Sequence, residues 1–550
     1  MDDQRNPIPQ MEWEEWDAAS VLFLQKAGLT PVNVQPEVPA QTPAEPETPA
    51  TQEAEPVTQE TEPVTQETKP VRQMPKFSVL PEAPARAPRK RGKPRPNYKG
   101  WAILVGGALT VLLLFTLLIW GVVALCSSSE DGPETTVPST SETEPTTTVD
   151  YEAIAAELLE TAERQAAMYD YDAAIDTLRS FGPGWGLRED FAAAKTRFEE
   201  AKAKTVRWAD TTTITHVFFH SLIVDTDRCF DGDGEEDGYN LYMTTVYEFN
   251  AMLEQMYERG YVLVGIHDIA KLTVDETGKE VYRQGDIYLP EGKIPFVMSQ
   301  DDVNYYEYMS DGDGDREPDA GGDGFANKLL LKDGTVVCEY ITAEGELVYG
   351  DYDLVPILER FVEEHPDFSY RGAKAIIALT GYEGVYGYRT HPEWKELLGD
   401  VAYQKEVKEA KELTAWLKEN GWEIASHSYG HPGYGNISVE KLIADVQKWE
   451  DQVQPIVGDT DIFIYPYGND IAGIEKYSGE KYNAMYAAGY RYYCNVDSAD
   501  YWVQIWDDYV RQGRRNLDGY RMWHNPNMLD DLFDVETVFD PARPTPVPSL

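Results

Sequence analysis

From residue 210 onward the spacing of apolar positions switches repeatedly between two periods. Short runs rich in β-branched and aromatic residues read as strands: "ITHVFF" (214–219), "YVLVGI" (261–266), "KIPFVMS" (293–299), "AKAIIALTG" (373–381), "WEIASHS" (422–428), "DIFIYPYG" (461–468) and "RYYCNV" (491–496). Between them, apolar residues three and four apart predict helices at "YEFNAMLEQMYERG", "LVPILERFVEEH", "QKEVKEAKELTAWLKENG", "SVEKLIADVQKWEDQV" and "IEKYSGEKYNAMYAAGY". Strands alternating with helices argue for a parallel α/β sheet or barrel, whose chemistry gathers at the C-terminal strand ends.

Upstream the pattern is different. Residues 151–208 hold three Ala-rich helical stretches broken at "FGPGWG", similar to one and a half tetratricopeptide units, and predict a helical spacer packed on the next domain. Residues 101–126, "WAILVGGALTVLLLFTLLIWGVVALC", carry no charge. As a helix they would span about 39 Å, enough for a hydrocarbon core of about 30 Å. The Lys/Arg-rich stretch before them and the base-free acidic stretch after them predict a single-pass anchor, N-terminus cytoplasmic and C-terminal domain extracytoplasmic. Residues 1–100, rich in Pro, Glu, Thr and Gln with "EPVTQET" repeated, read as a disordered cytoplasmic tail whose partner is unknown, and 127–150 as a Ser/Thr-rich stalk. The expected catalytic domain is 211–525, with 526–550 a C-terminal tail.

Charge narrows the partners. The chain has a formal net charge of −48, and only −3 of it falls in residues 1–100 (12 basic, 15 acidic), so the rest should repel nucleic acid. Cys126, Cys229, Cys338 and Cys494 have neither disulfide-framework nor zinc-ribbon spacing. All eight histidines lie at or beyond His216.

Three strand ends carry candidate chemistry. "KIPFVMS" runs into Gln300-Asp301-Asp302, two adjacent carboxylates that repel unless a cation or shared proton lies nearby. "WEIASHSYGH" places His427 and His431 four apart just past a strand, where both can face one metal if the chain turns helically. "FIYPYG" breaks an apolar strand at Pro466-Tyr467-Gly468.

In this order, "SQDDV", "HSYGH" and "IYPYG" resemble the TFDDG, H-S/T-x-x-H and R-x-P-Y-G motifs of the polysaccharide deacetylases, the NodB-like carbohydrate esterases of family 4. "VFFHSLIV" and the helix and strand after it resemble the opening of such domains, and the resemblance covers roughly 211–525. It implies a distorted (β/α) barrel. It implies Asp302, His427 and His431 as ligands of a divalent metal, Zn²⁺ foremost, with Co²⁺ or Ni²⁺ suited to the same donors. It further implies Asp301 as general base, the Tyr467 backbone N–H as an oxyanion donor, and His524, in "RMWHNP", as general acid. The arginine of the third motif, which orients the base in that family, is replaced here by Ile464; Val303 and Gln300 also depart from the first motif.

The expected fold is therefore an α/β barrel of the NodB-like deacetylase type, preceded by a small all-α segment and one transmembrane helix. The expected activity is metal-dependent hydrolysis of N-acetyl groups from an extracellular glycan, peptidoglycan or a poly-N-acetylglucosamine-like polymer. The competing reading is a non-catalytic cell-surface glycan-binding or scaffold protein that keeps the fold. The acidic insertions 230–238 and 310–324 lack the EF-hand spacing: counting from Asp311, position six is Arg316 and position twelve Gly322.

Overall fold

The computed structural model describes residues 150–549, apart from 233, 315 and 498. The expected tail (1–100), membrane helix (101–126) and nearly all of the stalk (127–150) lie outside the described residues. Among the described residues, no helix is long and apolar enough to cross a membrane.

Seven parallel strands close into a barrel: β1 (Thr215–Phe219), β2 (Ile294–Gln300), β3 (Ile376–Leu379), β4 (Glu423–Ser426), β5 (Ile462–Ile464), β6 (Tyr492–Val496) and β7 (Val510–Asn516). Each pairs with its neighbour in sequence, and β7 returns to β1 through Arg515 opposite Val217. The ring is distorted at β2. Its first half pairs with an extra short strand, Tyr261–Leu263, so β3 meets only Ser299 and Gln300.

Strands alternate their side chains between two faces. Val297, Ile376, Ala378, Ala425, Ile462, Ile464, Tyr492, Cys494 and Val510 form one buried cluster that continues into the three N-terminal helices, α1 (Tyr151–Ala167), α2 (Tyr171–Arg179) and α3 (Glu189–Lys202). These helices pack at the N-terminal end of the barrel, where the Tyr169 hydroxyl donates to the Asp367 carbonyl and the Arg371 N–H to that of Met168. The opposite strand faces bury against α4 (Val246–Glu258), α5 (Leu354–Glu364), α6 (Asp400–Glu419), α7 (Val439–Gln452) and α8 (Gly479–Ala487). Apolar residues on the inner stripes of these helices, such as Phe249, Met252, Leu253 and Met256 on α4, account for the helical periodicity of the sequence. A three-stranded antiparallel sheet (Lys328–Lys332, Thr335–Ile341, Leu347–Gly350) is inserted between β2 and β3.

Two regions differ from the sequence reading. β7 was not foreseen, because "VRQGRRN" has no apolar run. Residues 526–549, expected to be a tail, fold against the barrel: Leu529, Leu532, Phe533 and Val538 are fully buried, and Arg543 is buried in an ion pair with Glu248 of α4.

Candidate functional site

The C-terminal strand ends converge as parallel barrels require. β2 ends one residue before Asp301-Asp302, β4 one residue before His427, β5 two residues before Pro466 and β1 one residue before His220. The polar positions at these ends face one another across the barrel mouth.

Asp302, His427 and His431 form a cluster whose ligand atoms all lie within 4.8 Å of one another. The Nε2 atoms of His427 and His431 are 3.1 Å apart, and Asp302 Oδ2 is 4.0 Å from the first and 3.7 Å from the second. The other side of each group is held. His427 Nδ1 donates to the Ile464 carbonyl at 2.9 Å, which fixes the tautomer and leaves the Nε2 lone pair facing the cluster. His431 Nδ1 is hydrogen-bonded to the Tyr467 hydroxyl at 2.7 Å, and the Tyr306 hydroxyl donates to Asp302 Oδ1 at 2.6 Å. Burial pushes the His427 imidazole down to about 4, so it is neutral at ordinary pH, the form that ligates a metal. One carboxylate and two imidazoles with held second nitrogens fit a divalent cation such as zinc.

The backbone is bent to make this cluster. Asp302 (φ 58°), Ser428 (61°), His431 (60°) and Tyr467 (57°) all adopt the left-handed conformation without being glycine. Each costs about 1–3 kcal/mol unless its surroundings enforce it. Here they do: Asp445 of α7 accepts from the N–H groups of Tyr429 and Gly430 and from the Tyr434 hydroxyl, at 2.8–2.9 Å, pinning the turn between the two histidines. Asn304 ties the turn after Asp302 to Thr380 beyond β3, donating to its carbonyl and accepting from its N–H.

Asp301 faces the same cluster with Oδ2 4.0 Å from His427 Nε2. It is buried, yet paired with an arginine that the sequence reading did not single out: Arg514 of β7 donates from Nη1 to Oδ1 at 2.6 Å and from Nη2 to Oδ2 at 2.8 Å. Burial alone would raise the Asp301 carboxyl. The Arg514 charge, helped by His427, instead holds it below the usual carboxylate range, so it is ionised. Asp302 is likewise lowered against burial, by His431, His427 and His220.

His220 is the second residue missed. Its Nδ1 donates to the Tyr242 carbonyl at 3.1 Å, and it is among the groups that lower the carboxyls of Asp301 and Asp302. Two-residue spacing from His216 and Phe218 puts it on the inward face of β1, a signal available in "HVFFH" once that strand is assigned. His524, expected to be the general acid, does not join the site. It is exposed on the Gly519–His524 helix with Nε2 donating to the carbonyls of Val547 and Pro548, and no contact among the described residues links it to Asp301, Asp302, His427 or His431.

Tyr467 occupies the 3-10 turn Pro466–Gly468, with its side chain at the rim of the cluster, 41 % exposed. Outside the site, Asp311, Asp313 and Asp319 also come together in the acidic insertion. There Asp311 and Asp319 accept backbone N–H groups of their own loop, including those of Gly314, Arg316 and Gly321, so the insertion is a folded turn.

Residues 401–493 match the family model described as polysaccharide deacetylase. The match includes His427, His431 and Tyr467 and stops short of Asp301 and Asp302, and it supports polysaccharide deacetylation in general. Among solved structures, a Streptococcus pyogenes deacetylase, PplD, in complex with acetate, is 12 % identical, with 60 % of this chain and 99 % of that chain covered and a TM-score of 0.30. No curated protein matches the chain in sequence.

Proposed function

With the polysaccharide deacetylase family identified over residues 401–493, we propose that the chain hydrolyses N-acetyl groups of an extracellular glycan, peptidoglycan or a poly-N-acetylglucosamine-like polymer, with a divalent metal as cofactor. The observation that carries the reading is the convergence of Asp302, His427 and His431 beside an ionised, buried Asp301. Asp302 Oδ2 and the two Nε2 atoms would hold the cation, zinc foremost. Bound there, it supplies Lewis-acid polarisation of the acetyl carbonyl and lowers the pKa of water.

The remaining steps belong to the chain. Asp301 takes a proton from the attacking water through Oδ2, the oxygen that faces the cluster. As the carbonyl oxygen gains charge, the Tyr467 backbone N–H donates to it. The scissile C–N bond then breaks, and the departing nitrogen needs a proton. His220 supplies it in place of His524: with Nδ1–H committed to the Tyr242 carbonyl, Nε2 is the nitrogen that delivers and regains the proton. Acetate and a free sugar amine are the products.

In the cell the reading extends to a single-pass anchor at 101–126, with the barrel outside the membrane and facing the glycan. The uncharged 26-residue run and the basic flank before it support this orientation. Acetate release from N-acetylglucosamine oligomers and peptidoglycan tests the activity. It is expected to be lost on chelation, restored by zinc or cobalt, and abolished in Asp301→Asn with metal still bound. Bound metal with no acetate from any N-acetylated glycan would replace this reading with the glycan-binding one.

A further inference from the structure

Arg514 shares more than a salt bridge with Asp301. Its side chain is wholly buried, its guanidinium lies over the Phe218 ring at 4.2 Å, and Nη1 also donates to Ser299 Oγ at 3.1 Å. Ser299 Oγ is 2.9 Å from His216 Nε2, His216 Nδ1 is 3.1 Å from Gln512 Oε1, and Gln512 Nε2 donates to the Ile214 carbonyl at 3.1 Å.

The donors run in one direction along this row. Arginine has no acceptor, so Ser299 must accept from it and turn its own hydrogen to His216 Nε2. His216 then carries its proton on Nδ1 and gives it to Gln512, which donates onward to Ile214. A neutral imidazole is what this requires, and burial together with the Arg514 charge keeps His216 far below its ordinary value. Every member of the row is satisfied, and such buried networks hold one geometry.

The bidentate contact fixes the plane of the Asp301 carboxylate. With the guanidinium held from behind by Ser299 and Phe218, Oδ2 has one direction left to face, toward His427 Nε2 4.0 Å away. Ile464 fills the inward position on β5 where the resemblance expects an arginine, so the guanidinium arrives from β7, two strands around the ring.

We infer that Arg514, braced by Ser299, His216 and Gln512, is the positioning residue for Asp301, taking from β7 the place left empty by Ile464. This rests on the deacetylase reading for its kinetic consequence but not for its structural one. A carboxylate released from this clamp loses its alignment with the attacking water, and a misplacement near 1 Å costs about 100-fold in rate. Among the described residues, no hydrogen bond or ion pair joins Arg514 to Asp302, His427 or His431.

The experiment compares the wild-type chain with Arg514→Lys, Arg514→Ala and Ser299→Ala. It measures kcat and KM for acetate release, zinc affinity by competition with a chromogenic chelator, and the Asp301 side-chain orientation by crystallography of the zinc-free Arg514→Lys protein. The expected result is a fall in kcat of about 100-fold for Arg514→Ala, with KM and zinc affinity within about threefold of wild type. Arg514→Lys should recover part of the loss, because one ammonium restores the charge but not the two-point contact. Ser299→Ala, which keeps the ion pair and should fold normally, should lower kcat by a few-fold. If Arg514→Ala does not fold, Arg514→Lys and Ser299→Ala decide the matter. Wild-type kcat in both, or an Asp301 carboxylate still aimed at His427 in the Arg514→Lys crystal, overturns the inference. Wild-type protein that releases no acetate overturns the deacetylase reading, and a carboxylate turned away in Arg514→Lys would still uphold the clamp.

Discussion

Arg543 offers the sharpest test of the claim that residues beyond 525 belong to the barrel. Its guanidinium and the Glu248 carboxylate are both fully buried, joined by Nε to Oε1 at 2.9 Å and Nη2 to Oε2 at 2.5 Å. Its other donors reach the Asn240 carbonyl and side chain and the Met243 carbonyl, each at 3.0 Å. Glu248 also closes the capping box that starts α4, accepting from Thr245 N–H. Arg543→Ala therefore strands a buried carboxylate, which costs about 3–5 kcal/mol. For a folded unit of about 400 residues, an unfolding entropy near 2.1 cal/mol/K per residue turns this into a Tm lower by about 4–6 °C. Differential scanning calorimetry of a chain starting at Asp150 would read it. Ending the same chain at Asn525 also removes Leu529, Leu532, Phe533 and Val538 from the core, a further loss of about 6–12 kcal/mol at 1.5–3 kcal/mol each. The total matches the whole stability of an ordinary domain, so the shortened chain should show no cooperative melt. An Arg543→Ala protein melting within 1 °C of wild type, or a cooperative transition in the shortened one, would refute the reasoning.

Three further outcomes follow from the site and its supports. His220→Ala should reduce kcat for acetate release by about 10²–10⁴-fold, the range for losing a general acid, whereas His524→Ala should leave it within twofold; the reverse ranking would return the acid role to His524. Asp445→Ala frees the turn between His427 and His431 and should weaken zinc binding by about tenfold, read by the same chelator competition. Burial alone would push the His267 imidazolium down, but its bonds to Asp461 and Glu423 hold it up at about 10. A raised value means that this stabilisation is complete below the unfolded pKa near 6.5 and is lost as pH climbs through about 10. Because His267 is about half exposed, screening limits the effect to about 1 kcal/mol or less. Wild type should lose slightly more Tm than His267→Gln between pH 6.5 and 10, and parallel curves would show that the bridge contributes nothing.

The sequence was most informative where structure is local. "KIPFVMS", "WEIAS" and "DIFI" became β2, β4 and β5 because each is an apolar run long enough to be buried on both faces, and the motif residues follow within one or two positions of the strand ends. "HSYGH" was legible for the same reason, although the left-handed turn at Ser428 and His431 brings the imidazoles together where a helical turn was expected. Contacts made between distant segments were hidden. Choosing His220 over His524 requires knowing that β1 lies beside β2, with Phe219 opposite Gln300, and that His524 is tied to the C-terminal segment, and no periodicity states either pairing. Likewise, "DPARPTPVPS" has the Pro-rich composition of a loose end, and the partners that hold it are remote in sequence, the buried Glu248 on a helix some 290 residues earlier among them.

β7 shows why the closing strand was the least visible element. It carries three arginines with side chains almost wholly buried, in a chain whose net charge is −48. Each meets a carboxylate from a different place: Arg511 reaches Asp470 beyond β5 at 2.6 Å, Arg514 reaches Asp301 beyond β2, and Arg515 reaches Asp531 in the C-terminal segment at 2.8 Å. Such a strand reads as a polar loop because the partners that neutralise it are remote in sequence. The same pairs fix its register. A slip of one residue would turn Arg515 inward, take Arg514 away from Asp301 and leave buried charges unpaired on both faces, so the alternatives to the observed pairing are strongly disfavoured. The register that lets β7 close the ring against β1 and β6 is therefore the one that delivers a guanidinium to Asp301. In this barrel, closing the sheet and completing the site are a single event.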